Sequence, residues 1–178
     1  MTRAKSHRKA RPKVADTKRR ARRRSAAPYH HGDLRRALLD ATEELLESEG
    51  LESFTLREVA RRAGVSHGAP AHHFGDVRGL LSEFTAESFA EMTALMQAYR
   101  AKAGPGAGEQ LAAVGRAYVD YALQNRARFQ LMFRSDRLDQ NHPALAAAGA
   151  AAYAQLVDCI TRIAEEIDAP GYAIKEKI

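Results

Sequence analysis

The chain of 178 residues carries 28 Lys and Arg against 22 Asp and Glu, a net charge of +6 with neutral histidines. The charge is uneven, because residues 1–27 hold 12 bases and one acid while residues 28–178 are net acidic. Any argument for nucleic-acid binding by residues 28–178 must therefore rest on motifs. The single cysteine, Cys159, excludes an internal disulfide and favours a reducing, cytoplasmic compartment. We expect no membrane span and no secretory leader, because no sufficiently long apolar run is visible.

The N-terminal segment, residues 1–27, combines high charge with almost no side chain able to form a core. This composition predicts a solvated, disordered basic tail. The alternative is an arm that follows phosphates or enters a minor groove, as clustered arginines do in some DNA-binding proteins. The arginines concerned are Arg19, Arg20, Arg22, Arg23 and Arg24.

The first helix is predicted from Asp33 to Glu49, because apolar residues recur at steps of three and four along one face. That face comprises Leu34, Leu38, Ala41 and Leu45, with Leu46 beside them. His30 and His31 precede the helix, where they form either a polar entry segment or a contact to phosphate.

Residues 55–74, TLREVARRAGVSHGAPAHHF, have the pattern of two short helices joined by a tight turn. Thr55 and Glu58 have the spacing of a capping box, which predicts a helix start. Gly64 is expected to end this helix, because the residue just past a helix C-terminus often needs a positive φ. The buried face is predicted to comprise Leu56, Val59, Ala60 and Ala63.

A second helix is predicted from about His67 to Phe74, with Ser66 as its N-cap. Pro70 falls near the fourth helical position and is expected to point inward with Phe74. Two helices joined by a short glycine turn form a helix-turn-helix, whose second helix can enter the DNA major groove. The alternative is an ordinary helical hairpin in an all-α core. The outward residues left to contact DNA are His67, Gly68, Ala69, Ala71, His72 and His73.

Three of these residues, His67, His72 and His73, raise the alternative of a metal site. Neighbouring helical residues point about 100° apart, so His72 and His73 form a poor chelating pair. No cysteine or carboxylate nearby completes a ligand set, and we expect no metal.

Further helices are predicted from Gly79 to Arg100, from Glu109 to Asn125 and from Ala127 to Arg134. A glycine-rich run, Gly104 to Gly108, breaks the chain after the first of them. Residues 135–143, SDRLDQNHP, are predicted to form a loop. Methionines and aromatic residues in these helices form either an ordinary core or the wall of a ligand cavity.

The last predicted helix, Ala144 to Ile167, is rich in alanine and carries one apolar stripe that we expect to be committed to the core. The stripe comprises Leu145, Ala148, Ala152, Leu156, Ile160, Ile163 and Ile167. Cys159 on this helix is expected to be a small buried apolar residue.

The flanks of the helix-turn-helix resemble a known family. YHHGDLRRALLDATEELLESEG before it and GDVRGLLSEF after it are similar to YHHGDLR-type members of the TetR family of bacterial transcriptional regulators. The resemblance is dense from Tyr29 to Phe84, weaker through NRARFQLMF at 125–133, and fails after about Ile167. It implies an all-α fold, in which a three-helix helix-turn-helix DNA-binding domain is joined by a long connector helix to a helical ligand and dimerisation domain.

The expected domains are a basic tail at 1–27, the DNA-binding domain at 28–82, a helical regulatory domain at 83–167 and a tail at 168–178. Typical members continue with two apolar helices that form a four-helix dimer interface, and we expect this chain to lack them. The homodimer that the resemblance implies is therefore expected to be weakened. The implied function is transcriptional repression from a palindromic DNA operator, relieved by a small-molecule effector.

The resemblance also implies DNA contacts from Arg57 and Arg78. The sequence departs from the family at Ala71, where a tyrosine usually contacts phosphate, and at Val77, where many members have a lysine. The predicted DNA-binding residues are Thr55, Arg57, Ser66, His67, Gly68, Ala69, Ala71, His72, His73 and Arg78. The predicted effector-binding residues are Met92, Met96, Tyr118, Tyr121, Phe129, Met132 and Phe133.

Catalytic patterns are missing from the sequence. It has no GxSxG, no P-loop and no favourably spaced carboxylate pair or Ser/His/Asp set, so we expect neither an enzyme nor a cofactor. The competing function is non-specific nucleic-acid binding, mainly through the basic tail.

Deletion of residues 1–24 tests whether the tail binds DNA. If its arginines lie on phosphates, the deletion removes counterion release and flattens the slope of log affinity against log salt concentration. The expected change is about 0.9 for each phosphate that the tail neutralises. Base preference should be unchanged. Mobility-shift titrations between about 50 and 200 mM salt measure the slope. An unchanged slope would show that the tail does not touch DNA.

Overall fold

The structure, a computed structural model, describes residues 31–167. The expectations for residues 1–27, for His30 and for residues 168–178 fall outside this range. Seven α-helices and one short 3-10 helix, Ser135–Arg137, form the described part of the chain, which contains no strand. The α-helices are α1 (His31–Glu49), α2 (Leu56–Arg62), α3 (Ala69–Phe74), α4 (Val77–Arg100), α5 (Ala107–Gln124), α6 (Arg126–Met132) and α7 (Pro143–Glu166). The predicted all-α class is confirmed.

The first hydrophobic core forms around the apolar face of α1. Leu38 and Leu45 are fully buried there and cluster with Val59 of α2 and Leu80 of α4. The apolar face predicted for α1 is confirmed, and the helix begins two residues earlier than predicted.

Helix α2 begins and ends at the predicted signals. The backbone N–H of Glu58 donates to the Thr55 hydroxyl oxygen at 3.2 Å, and Gly64 has φ +68°, a conformation that glycine adopts freely. The reciprocal half of the capping box does not form, because the Glu58 carboxylate instead accepts hydrogen bonds from Arg61 at 2.9 Å. The helix start therefore depends on the threonine alone.

Helix α3 is shorter than predicted, and Ser66 is not its N-cap. Residues 66–68 form a turn, in which the N–H of Ala69 donates to the Ser66 carbonyl at 3.0 Å, and Gly68 occupies the cap position. Pro70 is consequently the second helical residue, where a missing N–H is tolerated, and not the fourth. It is buried as expected, and Phe74 packs against the first core.

Helix α4 is the element that both halves of the fold share. Its N-cap Asp76 accepts a hydrogen bond from the N–H of Gly79 at 2.8 Å. A Cβ on Gly79 would lie 2.0 Å from the carbonyl oxygen of Phe74, so glycine is what allows the end of α3 to dock on α4. Leu81 and Phe84 belong to the first core, while Met92 and Met96 belong to a second. The predicted boundary between residues 82 and 83 falls inside this continuous helix and stays a prediction.

The second core lies among α4, α5, α6 and α7. Tyr121, Met132 and Cys159 are buried in it, which confirms the role expected for the cysteine. The apolar stripe of α7 is not wholly committed to this core, contrary to expectation. Leu156 is 37% exposed and Ile167 is 68% exposed, because only a narrow side of α7 faces its neighbours.

By length and composition, α7 is apolar enough to cross a membrane, which corrects the expectation that no stretch would be. One such helix is weak evidence for a span, since it also packs against α4 and α5 within the fold.

The segment between α6 and α7 returns to the first core. Leu138 is 2% exposed and packs in that core. The N–H of Asp139 donates to the Ser82 hydroxyl oxygen at 2.8 Å, which fastens the loop to α4. The predicted loop is thus an ordered contact between the C-terminal helices and the helix-turn-helix.

Replacing Leu138 by alanine should test this contact. We expect a loss of about 2 to 5 kcal/mol in the free energy of unfolding, because the change leaves a cavity in the first core. Urea denaturation measures it. The matched control is Leu123→Ala in α5, where the side chain is 61% exposed and the expected change is under about 0.5 kcal/mol. Equal effects of the two variants would contradict the assignment.

Candidate DNA-binding surface and effector cavity

Helix α2 carries three arginines that differ in what they bind. Arg61 donates to Glu58, and Arg62 is bonded to Glu49. Arg57 is exposed and makes no hydrogen bond or ion pair with any described residue. Its guanidinium is therefore available to an external partner without the loss of an internal bond.

The α3 region has an accessible surface of small residues and imidazoles. Among the predicted contacts, Ser66, His67, Gly68, Ala71 and His72 are exposed, as is Thr55, whereas Ala69 and His73 are half-buried. The rings of His72 and His73 meet edge to face, with centroids 5.7 Å apart. Within residues 31–167 no group of three or more His, Cys, Asp or Glu side chains is arranged to hold a metal ion.

Arg78 is exposed at the start of α4 but is already engaged. Its Nε donates to the carbonyl oxygen of Leu138 at 3.2 Å. The side chain thus connects α4 to the loop that precedes α7. The sequence did not indicate this contact, because its partner lies 60 residues away.

An apolar cavity of about 290 Å³ lies among α4, α5 and α7. It is partly open to solvent, and four of its wall side chains are more than a third exposed. Its wall comprises Phe89, Met92, Met96, Leu111, Val114, Gly115, Tyr118, Phe133, Gly149, Ala152, Tyr153 and Leu156. Four of the seven predicted effector residues, Met92, Met96, Tyr118 and Phe133, belong to this wall. The other eight wall residues were not predicted to bind an effector. Among them, Gly115, Gly149 and Tyr153 gave no signal, because neither glycine nor an isolated tyrosine continues an apolar periodicity.

The other three predicted effector residues lie beside the cavity. The ring of Phe129 contacts those of Tyr118 and Phe133, with both centroid distances 5.1 Å. Met132 lines a neighbouring cavity of about 440 Å³. The Tyr121 hydroxyl donates to Glu91 at 3.3 Å, and burial, reinforced by the Glu91 charge, raises the pKa of Tyr121 to about 12. None of the three lines the first cavity, although Tyr121 and Met132 pack in the second core with Met92 and Met96 of its wall.

Arg128 of α6 is a nearly buried charge that joins three helices. Its Nε and Nη2 donate to the two carboxylate oxygens of Glu43 in α1, both at 2.7 Å. Its Nη1 donates to Glu91 of α4 at 3.1 Å, and its guanidinium carbon lies 4.6 Å from the ring centre of Phe84. Sequence reasoning missed this residue, since Glu43 is 85 positions away.

The pKa values of this cluster follow from its geometry. Burial acts to lower the pKa of Arg128, but the hydrogen bond to Glu43 and the charges of Glu91 and Glu43 outweigh burial, and the net shift is upward. The hydrogen bond from Arg128 lowers the pKa of Glu43 below its ordinary value of 4.5, against an opposing effect of burial. Both groups are therefore charged at neutral pH.

Two family models match the chain. The model described as bacterial regulatory proteins, tetR family, matches residues 38–84, which include α2 and α3. The model described as tetracyclin repressor-like, C-terminal domain, matches residues 111–176. Together they match more than half of the 178 residues. The chain belongs to the tetR family. The resemblance to this family is confirmed, and with it the helix-turn-helix architecture.

Individual relatives of this tetR-family chain match it over different lengths. The HTH-type transcriptional regulator BetI of Stenotrophomonas maltophilia (strain R551-3) is 35% identical over 80 residues, which cover 45% of this chain and 41% of that regulator. The chain thus spans less than half the length of this curated relative. A protein of unknown function from Rhodococcus sp. RHA1 is 36% identical, with a TM-score of 0.68 and coverage of 81% of this chain and 75% of that chain.

A bacterial regulatory protein in the tetR family from Rhodococcus RHA1 superposes with a TM-score of 0.63 at 22% identity. The match covers 76% of this chain and 72% of that chain. At this identity the likeness supports the fold alone.

The Arg128 cluster predicts a pH dependence of stability. Because the folded pKa of Glu43 is lowered, its carboxylate stabilises the native state above pH 4.5 or so, and this stabilisation is lost as pH falls through the folded pKa. The Glu43→Gln variant has no carboxylate to protonate at this position and cannot lose this stabilisation. Between about pH 5 and 3 the melting temperature of the variant should therefore fall less than that of the wild type, with a difference between the two declines of at least about 2 °C.

The matched control is Glu47→Gln, one turn further along α1, where the carboxylate is exposed and has no ion pair with a described residue. Melting curves recorded by circular dichroism supply the comparison. If Glu43→Gln and Glu47→Gln have the same pH profile, the Arg128 pair does not stabilise the native state.

Proposed function

We propose that this tetR-family chain is a transcription regulator that binds operator DNA through α2 and α3. The observation that carries the proposal is the exposed Arg57, whose guanidinium has no partner among the described residues. A free guanidinium can donate two parallel hydrogen bonds to a guanine or a phosphate. The two other arginines of α2 are bonded to glutamates and are less available.

The remaining predicted contacts complete the proposed surface. The exposed imidazoles of His67 and His72 supply hydrogen-bonding groups, while Gly68 and Ala71 present little bulk to an approaching duplex. Arg78 stays in the proposed set, because a guanidinium has five N–H groups and its bonds to the Leu138 carbonyl leave others for a phosphate.

The finer mechanism that we propose is repression by a homodimer on a palindromic operator, released by a small-molecule effector. A dimer places two recognition helices about 34 Å apart, so that each binds one half-site. The cavity among α4, α5 and α7 is the proposed effector site. Support comes from α4, which contributes to the core beneath the helix-turn-helix and also to the cavity wall. We infer a cytoplasmic regulator without catalytic activity.

Substitution of Arg57 by alanine tests the DNA-binding surface. If Arg57 makes a bidentate contact to a base, the variant should lose about 1 to 3 kcal/mol of binding free energy for its operator and less for scrambled DNA. Fluorescence anisotropy with both duplexes at one salt concentration measures the difference.

Arg61→Ala is the matched control, since it removes an exposed arginine of the same helix that is paired with Glu58. We expect a smaller loss, equal on both duplexes. An equal loss on both duplexes for Arg57→Ala would reassign that residue to a phosphate.

The alternative function is non-specific nucleic-acid binding through the basic tail, which the uneven charge of the chain favours. A specific regulator should prefer its operator to scrambled DNA by at least roughly a thousandfold at physiological salt. Selection of bound duplexes from a random pool supplies the operator. A palindromic consensus supports the proposed dimer, whereas the absence of any consensus supports the alternative.

A further inference from the structure

The cavity among α4, α5 and α7 has a chemical character that identifies a class of ligand. None of its lining side chains carries a charge. Phe89, Tyr118, Phe133 and Tyr153 contribute aromatic rings, Met92 and Met96 contribute thioethers, and the two tyrosine hydroxyls are the wall's only polar side-chain groups. A charged group held against this wall would lose part of its hydration without gaining a partner, which is unfavourable. The wall therefore favours an uncharged, largely apolar molecule.

Two glycines on this wall are not required by the packing of the helices. Gly115 lies in the middle of α5 and Gly149 in the second turn of α7. A Cβ built on either would meet no heavy atom within 4 Å other than those of its chain neighbours and the nearby backbone of its own helix. Glycine is unfavourable inside a helix compared with alanine, so both positions sacrifice helix stability where a methyl group would fit. Glycine leaves open the space beside the cavity at both positions, of which Gly115 is exposed and Gly149 half-buried.

We propose that Gly115 and Gly149 are specificity-determining residues, which size the cavity for an uncharged, largely apolar ligand of about two fused rings. The size follows from the volume, since a cavity of about 150 Å³ holds benzene and this one has about 290 Å³. The name effector for this ligand depends on the proposed function. The binding of the ligand to the cavity does not depend on that function and can be measured without DNA.

The test uses the full chain and two fluorescent probes of one ring system, neutral 2-naphthol and anionic 2-naphthalenesulfonate. We expect 2-naphthol to bind saturably and at least about tenfold more tightly, because the sulfonate finds no cation on the wall. Gly115→Ala and Gly149→Ala should each weaken 2-naphthol binding about tenfold, since one added methyl group occupies part of its space. Each variant should also melt about 2 to 4 °C higher.

The rise in melting temperature separates a filled cavity from a damaged fold. Gly108→Ala is the matched control, because Gly108 also lies in α5 but is not on the wall. A Cβ there would likewise meet no heavy atom within 4 Å beyond its chain neighbours and the nearby backbone of its own helix. Its 2-naphthol affinity should equal that of the wild type. Tight sulfonate binding, no saturable 2-naphthol binding, an equal loss in Gly108→Ala or a lower melting temperature in the wall variants would each overturn the proposal.

Operator binding, measured in parallel, keeps the two proposals apart. Operator binding without 2-naphthol binding overturns the ligand class and leaves the regulator intact. Cavity-dependent 2-naphthol binding without operator binding supports the ligand class and overturns the regulator.

Discussion

The pairing of Arg128 with Glu43 is the interaction on which the arrangement of the two cores most depends. A guanidinium that is 7% exposed has lost most of its hydration, and an unpaired charge in that position would destabilise the fold by several kcal/mol. The bidentate bond to Glu43, the bond to Glu91 and the face of Phe84 together compensate for that loss. Because these partners belong to α1 and α4, α6 cannot move away from the helix-turn-helix without separating buried charges.

Helix α6 therefore connects the two proposed sites. Arg128 lies in the middle of α6 and is fixed to α1, while Phe133, immediately after the helix, forms part of the cavity wall. Arg78 and Leu138 provide a second connection, from the start of α4 to the loop before α7. A ligand can change DNA affinity only by binding two arrangements of the protein unequally. Two such arrangements would have to differ in the contacts that α6 and this loop make.

The sequence predicted those parts of the fold whose signals are local. The Thr55 cap, the glycine after α2 and the apolar faces of α1 and α4 act within a few residues, so periodicity and capping rules were sufficient. The prediction of Ser66 as an N-cap was wrong, because the turn that ends at Gly68 places Pro70 in the first turn of α3 and so starts the helix later. Arg128 and its distant partner Glu43 were not predictable, since nothing in a single sequence relates a buried arginine to a glutamate in another helix. The two glycines of the cavity wall were missed for a similar reason, because the role of a helical glycine depends on what the opposite helix brings near it.

The residues of α3 offer few hydrogen-bonding side chains to DNA, so the position of the helix-turn-helix relative to a duplex is especially important for the proposed recognition. Gly68, Ala69 and Ala71 have no side chain able to distinguish base pairs by hydrogen bonds, which leaves His67, His72 and Arg57 as the main candidates for direct contacts. With so few contacts, each must have the correct distance and direction, because a poorly directed hydrogen bond contributes little. The lack of a Cβ at Gly79 lets the end of α3 lie against α4, and the Arg128 cluster joins α4 to α1. In the proposed regulator, support of this kind would let a small set of contacts discriminate sequences, and a ligand that displaces α4 or α6 would then change DNA binding.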